Sequence, residues 1–302
     1  MDGILLQQIV NVISLGSIYA LFALGYSLVF SVLGVLNLAH SALFMWGAFI
    51  GLLVTDRLEM PLWVGLIAAM IVTGLLSVLL ELIAFRPLRK RGAARIAQLI
   101  SSIGAAILLV NIAQLLFIRV YNRVEAAYPR GLVPRQPIII EELGLRITPA
   151  RLIVVIAALV VMILLQYLVT RTSLGQQMRA VAFNQRTASL LGINVNYIFL
   201  MTFFLAGALG GLAGVLYALI TNVVDPFIGQ NIALIGLTAI VLGGMGSING
   251  AVLGGFIVAG IQIISIDTVG SSYRDALVFL LLFAILLIRP QGILGQPEST
   301  RA

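Results

Sequence analysis

Eight apolar runs, most as long as a lipid bilayer is thick, leave this chain few folds to choose from. They lie at Leu6–Phe30, Gly34–Val54, Leu62–Phe85, Ile96–Ile118, Leu152–Val169, Ile198–Ile220, Ile232–Ile266 and Ala276–Ile288. A helix takes about twenty apolar residues to cross the hydrocarbon core, and it must satisfy its own backbone polar groups there. The seventh run is too long for one crossing and has a Gly-rich middle, so it reads as a hairpin or two short helices. The expected fold is all-α, a polytopic membrane helix bundle of eight or nine spans. The count turns on whether Gly34–Val54 crosses fully. Residues 1–302 read as a single transmembrane domain, and MDGILLQQIV reads as the start of the first span because it lacks a basic stretch and an A-x-A cleavage site.

Charge supports the same class. Only 10% of residues are charged and 61% are hydrophobic, whereas a soluble domain carries charge on about a quarter of its residues. The formal net charge of +7 invites a nucleic-acid reading. The basic residues, however, sit in short loops between apolar runs, where the positive-inside rule puts them. No nucleic-acid partner is expected; membrane lipid is. With no cysteine and a single histidine, His40, disulfides, thiolate chemistry and multi-His metal centres are excluded.

Two loops fix the orientation. FRPLRKRGAAR holds Arg86, Arg89, Lys90, Arg91 and Arg95 without an acid, and the stretch from Arg171 to Arg186 repeats that pattern. Both are expected in the cytoplasm, with Ile96–Ile118 and Leu152–Val169 crossing between them. Residues 119–151 then form an external loop, although its six arginines beside Glu125, Glu141 and Glu142 pull the other way. Inverting the chain would export two acid-free basic loops, which is worse. Asp225, Asp267 and Asp275 fall outside and the C-terminal RPQGILGQPESTRA inside.

The segment 171–197 is the most informative polar stretch. Arg171, Arg179 and Arg186 are its charges, and Met178, Val181, Ala182, Ala188, Leu190 and Leu191 recur near helical spacing. A short basic amphipathic helix tethered at both ends by spans is placed to pass force to a cytoplasmic partner.

Glycine marks two other regions. Gly207, Gly210, Gly211 and Gly214 share one span, where small residues bring helices together. In LGGMGSINGAVLGG, which carries Gly243, Gly244, Gly246 and Gly250, the residues Ser247-Ile248-Asn249-Gly250 are turn chemistry inside an apolar run. Irregular backbone at membrane depth survives only when buried in protein or lining a wet cavity. Broken helices also offer free backbone ends to a polar solute. Gly243, Gly244, Gly246, Ser247 and Asn249 are therefore candidate path residues, although the turn itself accounts for Ser247 and Asn249 equally well. Asn37, His40 and Ser41, also within an apolar run, either glue helices together or line the path.

Just as informative is what the chain lacks. No span has a central carboxylate of the kind ion coupling uses, Glu81 being close enough to Arg86 to pair with it. There is no P-loop, nucleophile elbow or paired-carboxylate site. The sequence thus holds neither a fuel site nor a catalytic centre, and a stand-alone secondary carrier or an enzyme fits it poorly.

Four segments, LGSIYALFALGYSLVFSVLGVLNLAH, MRAVAFNQRTASLLGI, DPFIGQNIALIGLTAIVLGGMGSINGAVLGG and RPQGILG, resemble the LivH-type permeases of branched-chain and neutral amino-acid ABC importers. The resemblance runs over nearly the whole chain. It implies an inner-membrane permease with a type II importer-like fold. Its partners would be a second related permease, two cytoplasmic ATP-binding subunits that bind the ATP, and a periplasmic substrate-binding protein. No cofactor is implied in this chain. The family's coupling segment maps onto Arg179, Ala180, Ala182, Asn184, Arg186, Ala188, Leu190, Leu191 and Gly192, with Gly192 ending the helix in a left-handed turn. Three departures stand out: Arg179 lies where importers have an early glutamate, Asn184 and Gln185 replace an acidic pair found in some relatives, and Ser41 replaces a glycine after His40. The implied cargo is a branched-chain or other neutral amino acid; urea or a short amide is the alternative.

Overall fold

The computed structural model of the chain describes residues 2–129, 131–134, 136–268 and 270–295. Twelve α-helices account for most of them: α1 (Asp2–Leu33), α2 (His40–Asp56), α3 (Leu62–Leu80), α4 (Arg86–Lys90), α5 (Arg95–Tyr121), α6 (Pro149–Arg171), α7 (Ser173–Phe183), α8 (Gln185–Leu190), α9 (Val195–Thr221), α10 (Ile228–Gly243), α11 (Ile248–Thr268) and α12 (Arg274–Ile288). A π turn, Glu81–Phe85, joins α3 to α4, and the two-stranded hairpin β1 (Ile138–Ile140) and β2 (Leu145–Ile147) sits between α5 and α6. Seven helical stretches among the described residues are long and apolar enough to span a bilayer, while α2 and α10 are shorter apolar helices of 17 and 16 residues.

Contacts between helix ends sort them onto two faces. On one, Gln185 donates to the Val32 carbonyl at the end of α1, Gly34 lies beside Arg95, and Gly246 lies against Ser31. Both acid-free loops are on this basic face. On the other, the Arg146 N–H donates to Gln7, Arg151 to Asn11, and Arg57 to the Val120 carbonyl, while Ala126 bridges to Val224. The chain therefore begins on the face opposite the basic loops and has to run α2 and α10 across between faces. That makes nine traverses among the described residues. At about 1.5 Å rise per residue, α2 is only about 25 Å long, because the expected run over Gly34–Val54 becomes helical only at His40. The Ile232–Ile266 run divides into α10 and α11, as its glycine-rich middle predicts. The last C-terminal residues, 296–302, lie outside the described residues.

The core is built around α9, which packs against α1, α2 and α3. Its glycines make that approach possible. A Cβ on Gly214 would fall on the Phe44 carbonyl of α2 and one on Gly211 on the Thr73 side chain of α3, so the backbones meet where small residues allow it. Helix α2 is buried nearly all round, whereas α12 buries only Val278.

Candidate coupling face and transport path

The segment that follows α6 folds back on it. Thr172 caps α7 by accepting the Gly175 N–H at 3.2 Å, and the absence of a side chain at Gly175 lets α7 lie on the Leu168 and Val169 carbonyls. Where one amphipathic helix was expected, there are two. Asn184 adopts an extended conformation, φ −156° and ψ 108°, and its side chain accepts the Thr187 N–H at 3.0 Å to start α8. An N-cap side chain of this kind competes with continuation of the preceding helix. Helix α8 closes in a Schellman motif: the Ile193 N–H reaches the Ala188 carbonyl and the Gly192 N–H the Ser189 carbonyl, both at 3.1 Å, with Gly192 at φ +84°. Asn194 then caps α9 through the Tyr197 N–H.

This break splits the expected apolar stripe. Met178, Val181 and Ala188 are buried against the bundle, with Ala180 and Ala182 half-buried. Leu190 and Leu191, expected on the same stripe, turn outward at 83% and 75% exposure, and Phe183 and Arg186 of the same segment are exposed too. Arg179 donates back to the Val169 carbonyl at the end of α6, so its guanidinium braces the α6–α7 turn. The nine residues assigned to coupling thus divide into an inward set that seats the segment and an outward set on the surface.

The expected path residues form two separate groups. Asn37 lies in the turn just before α2, and His40 and Ser41 are the first two residues of that helix. The Asn37 side-chain oxygen accepts the Ala39 N–H, Ser41 donates to the Leu38 carbonyl, and the Leu38 N–H donates to Ser102 of α5. His40 is fully buried, stacked on Phe22 with ring centroids 4.8 Å apart and edge-on to Tyr26. Its Nε2 lies 3.2 Å from the Phe22 carbonyl; a carbonyl only accepts, so Nε2 carries the proton. His40 Nδ1, the Tyr26 hydroxyl and Asn37 Nδ2 are buried without a protein partner.

Gly243, Gly244, Gly246, Ser247 and Asn249 form the α10–α11 turn on the basic face. There the Leu294 N–H donates to the Gly243 carbonyl, and Ser247 caps α11 by accepting the Gly250 N–H. Asn249 is exposed. The turn meets α1 at Ser31 and the His40 group meets it at Phe22, nine residues or about 13 Å apart along that helix. The structure does not bring the two groups together.

Three further features escaped the sequence reading. A polar line, buried at Tyr19 and Gln262 and ending at the exposed Asp275, runs from the Tyr19 hydroxyl to Gln262 at 2.6 Å and from Gln262 to Asp275 at 3.3 Å, tying α1, α11 and α12. A cavity of about 320 Å³, lined by Tyr128, Leu132, Thr148, Arg151, Leu219 and Asn222, opens on the face opposite the basic loops. Tyr128 itself is buried with its hydroxyl on the Ala48 carbonyl, and burial pushes its phenol well above the usual range. Lastly, Glu81 pairs with Arg89 at 2.6 Å and not with Arg86 as expected.

Residues 8–286 match the family described as the permease component of branched-chain amino acid transport systems. The chain belongs to this permease family. The permease is 37% identical to the high-affinity branched-chain amino acid transport system permease protein BraD of Pseudomonas aeruginosa, over 97% of its own length and 96% of the relative's. It is 34% identical to LivH of Salmonella typhimurium and 33% identical to LivH of Escherichia coli, with the same coverage, both relatives bearing the same functional description.

Proposed function

We propose that this permease is the membrane subunit of an ABC importer that carries branched-chain amino acids across the bacterial inner membrane. What carries the reading is the identity to BraD maintained over nearly the full length of both chains. Its basic face is cytoplasmic. A second related permease completes the membrane part as a heterodimer, a periplasmic binding protein delivers the cargo, and two ATP-binding subunits supply the energy. The chain itself has no ATPase site and is not an enzyme.

The outward face of the α7–α8 segment suits the ATP-binding subunits. Phe183, Leu190 and Leu191 present apolar surface with Arg186 at its edge, and each such side chain gains about 1.5–3 kcal/mol when buried by a partner. The inward set anchors the segment to α6 and α9, so a push received at Leu190 reaches the centre of the bundle. Closure of the ATP-binding pair moves the segment, and the spans rock the path from outward- to inward-open. A path without fixed charge serves a cargo that is zwitterionic and aliphatic, with selection left to the binding protein.

Uptake of labelled leucine, alanine, proline and urea by a strain lacking this chain tests the reading, together with co-purification of nucleotide-binding subunits. Loss of leucine uptake, restored by the gene in trans, is the expected result. Uptake of urea alone, or accumulation of solute in vesicles by the isolated chain without ATP, overturns it.

A further inference from the structure

The inner end of α3 holds a carboxylate that packing alone does not explain. Glu81 is fully buried, and a charge in such a place needs a partner. One oxygen has it: Oε1 accepts from Arg89 Nη2 at 2.6 Å. The Arg89 guanidinium lies over the Phe199 ring at 3.8 Å. The other oxygen, Oε2, has no protein partner, and neither do Arg89 Nη1 and Arg86 Nε, all buried. One free acceptor and one free donor therefore belong to the pair itself, and a second free donor is carried five residues along from Glu81.

The backbone relates them. The π turn Glu81–Phe85 closes with the Arg86 N–H on the Glu81 carbonyl, so Arg86 follows Glu81 by one π turn and lies on its side of the helix. Such turns are single-residue insertions and concentrate at functional sites. The corner is also joined to α9: Phe85 and Phe203 pack with centroids 5.1 Å apart, in a small cluster with Val29 and Ala206. Helix α9 is the element that begins, at its Asn194 cap, where the coupling segment ends.

We propose that Glu81 is a positioning residue of the transport cycle, exchanging Arg89 for Arg86 as α9 moves against the α3–α4 corner. In the present state the Phe199 ring holds Arg89 in place over the carboxylate. When a push on the coupling segment shifts the first turns of α9, Phe199 leaves Arg89, and the Arg86 Nε takes up the carboxylate. The exchange breaks one charge-assisted hydrogen bond and forms another, so the buried carboxylate stays paired in both states, while the Arg89 guanidinium, already partly exposed, is released toward solvent. Movement entering at Asn194 thereby reaches α3. The inference rests on the import reading.

Two variants of the assembled importer test it by leucine uptake, ATP hydrolysis, membrane content and thermal midpoint. Arg86→Gln removes no bond that Nε makes in the present state, so content and midpoint stay at wild-type values. Uptake falls at least about tenfold, because the second state loses its partner for a buried carboxylate, and Arg86→Lys retains most of the activity. The double variant Glu81→Leu/Arg89→Met replaces the pair by apolar groups, which proteins tolerate well; it inserts normally, hydrolyses ATP and does not transport. Uptake within about twofold of wild type in Arg86→Gln overturns the exchange, and in the double variant it overturns the joint altogether. A wild-type importer that does not take up leucine removes the import reading instead.

Discussion

Gly210 leaves open the space that the imidazole of His40 fills: a Cβ on Gly210 would stand 2.8 Å from the ring's Cε1. The ring is also fixed from below by Phe22, whose carbonyl holds Nε2. It has nowhere to retreat. Gly210→Ala is therefore expected to destabilise the permease by about 1–3 kcal/mol, the usual cost of overpacking. His40→Ala in the same chain relieves the clash, so the two substitutions are strongly non-additive in thermal unfolding. Equal midpoints for wild type and Gly210→Ala would sink this account of the slot.

Much of this arrangement was legible because hydropathy and charge are local properties. The apolar runs became spans, both acid-free loops lie on one face, and the glycine-rich middle of Ile232–Ile266 became the α10–α11 turn. The segment 171–197 was recognised as special, but periodicity counts side chains and does not register a backbone break such as that at Asn184. Past that break Leu190 and Leu191 face outward, while Met178, Val181 and Ala188, which share their spacing, face the bundle. Proximity in sequence pairs Glu81 with Arg86, whereas the folded chain gives it Arg89, eight residues on. The Tyr19–Gln262 bond joins residues 243 apart, and no local pattern announces a contact of that range.

Leu190 separates a coupling role from a structural one. Its side chain is 83% exposed, and surface substitutions away from special features stay within about ±0.5 kcal/mol. Leu190→Asp is expected to leave membrane content unchanged while abolishing leucine uptake and co-purification of the ATP-binding subunits. Normal uptake by this variant would remove α8 from the docking face.

Gly192 is a test of backbone geometry. At φ +84° an ordinary L-residue is strained by about 1–2 kcal/mol, while Asn tolerates left-handed conformations. Gly192→Val is expected to reduce uptake sharply and Gly192→Asn to preserve most of it, at equal membrane content. The same uptake from both would show that the Schellman turn does not matter to transport.

The line Tyr19–Gln262–Asp275 makes a prediction about how α12 is held. Gln262 is fully buried and serves both neighbours, accepting from the Tyr19 hydroxyl and donating to Asp275. Beyond Val278, α12 buries little of itself in the bundle, so this polar contact has few apolar substitutes. Gln262→Leu strands the Tyr19 hydroxyl in an apolar setting, at a cost of about 1–3 kcal/mol. Removing both polar partners is far milder than removing one, because no buried donor is left unpaired. Tyr19→Phe combined with Gln262→Leu should accordingly recover most of the thermal midpoint that Gln262→Leu loses. If the double variant is instead as unstable as the sum of the single ones, the hydroxyl–amide bond is not what joins α1 to α11, and their apolar packing holds the two helices by itself.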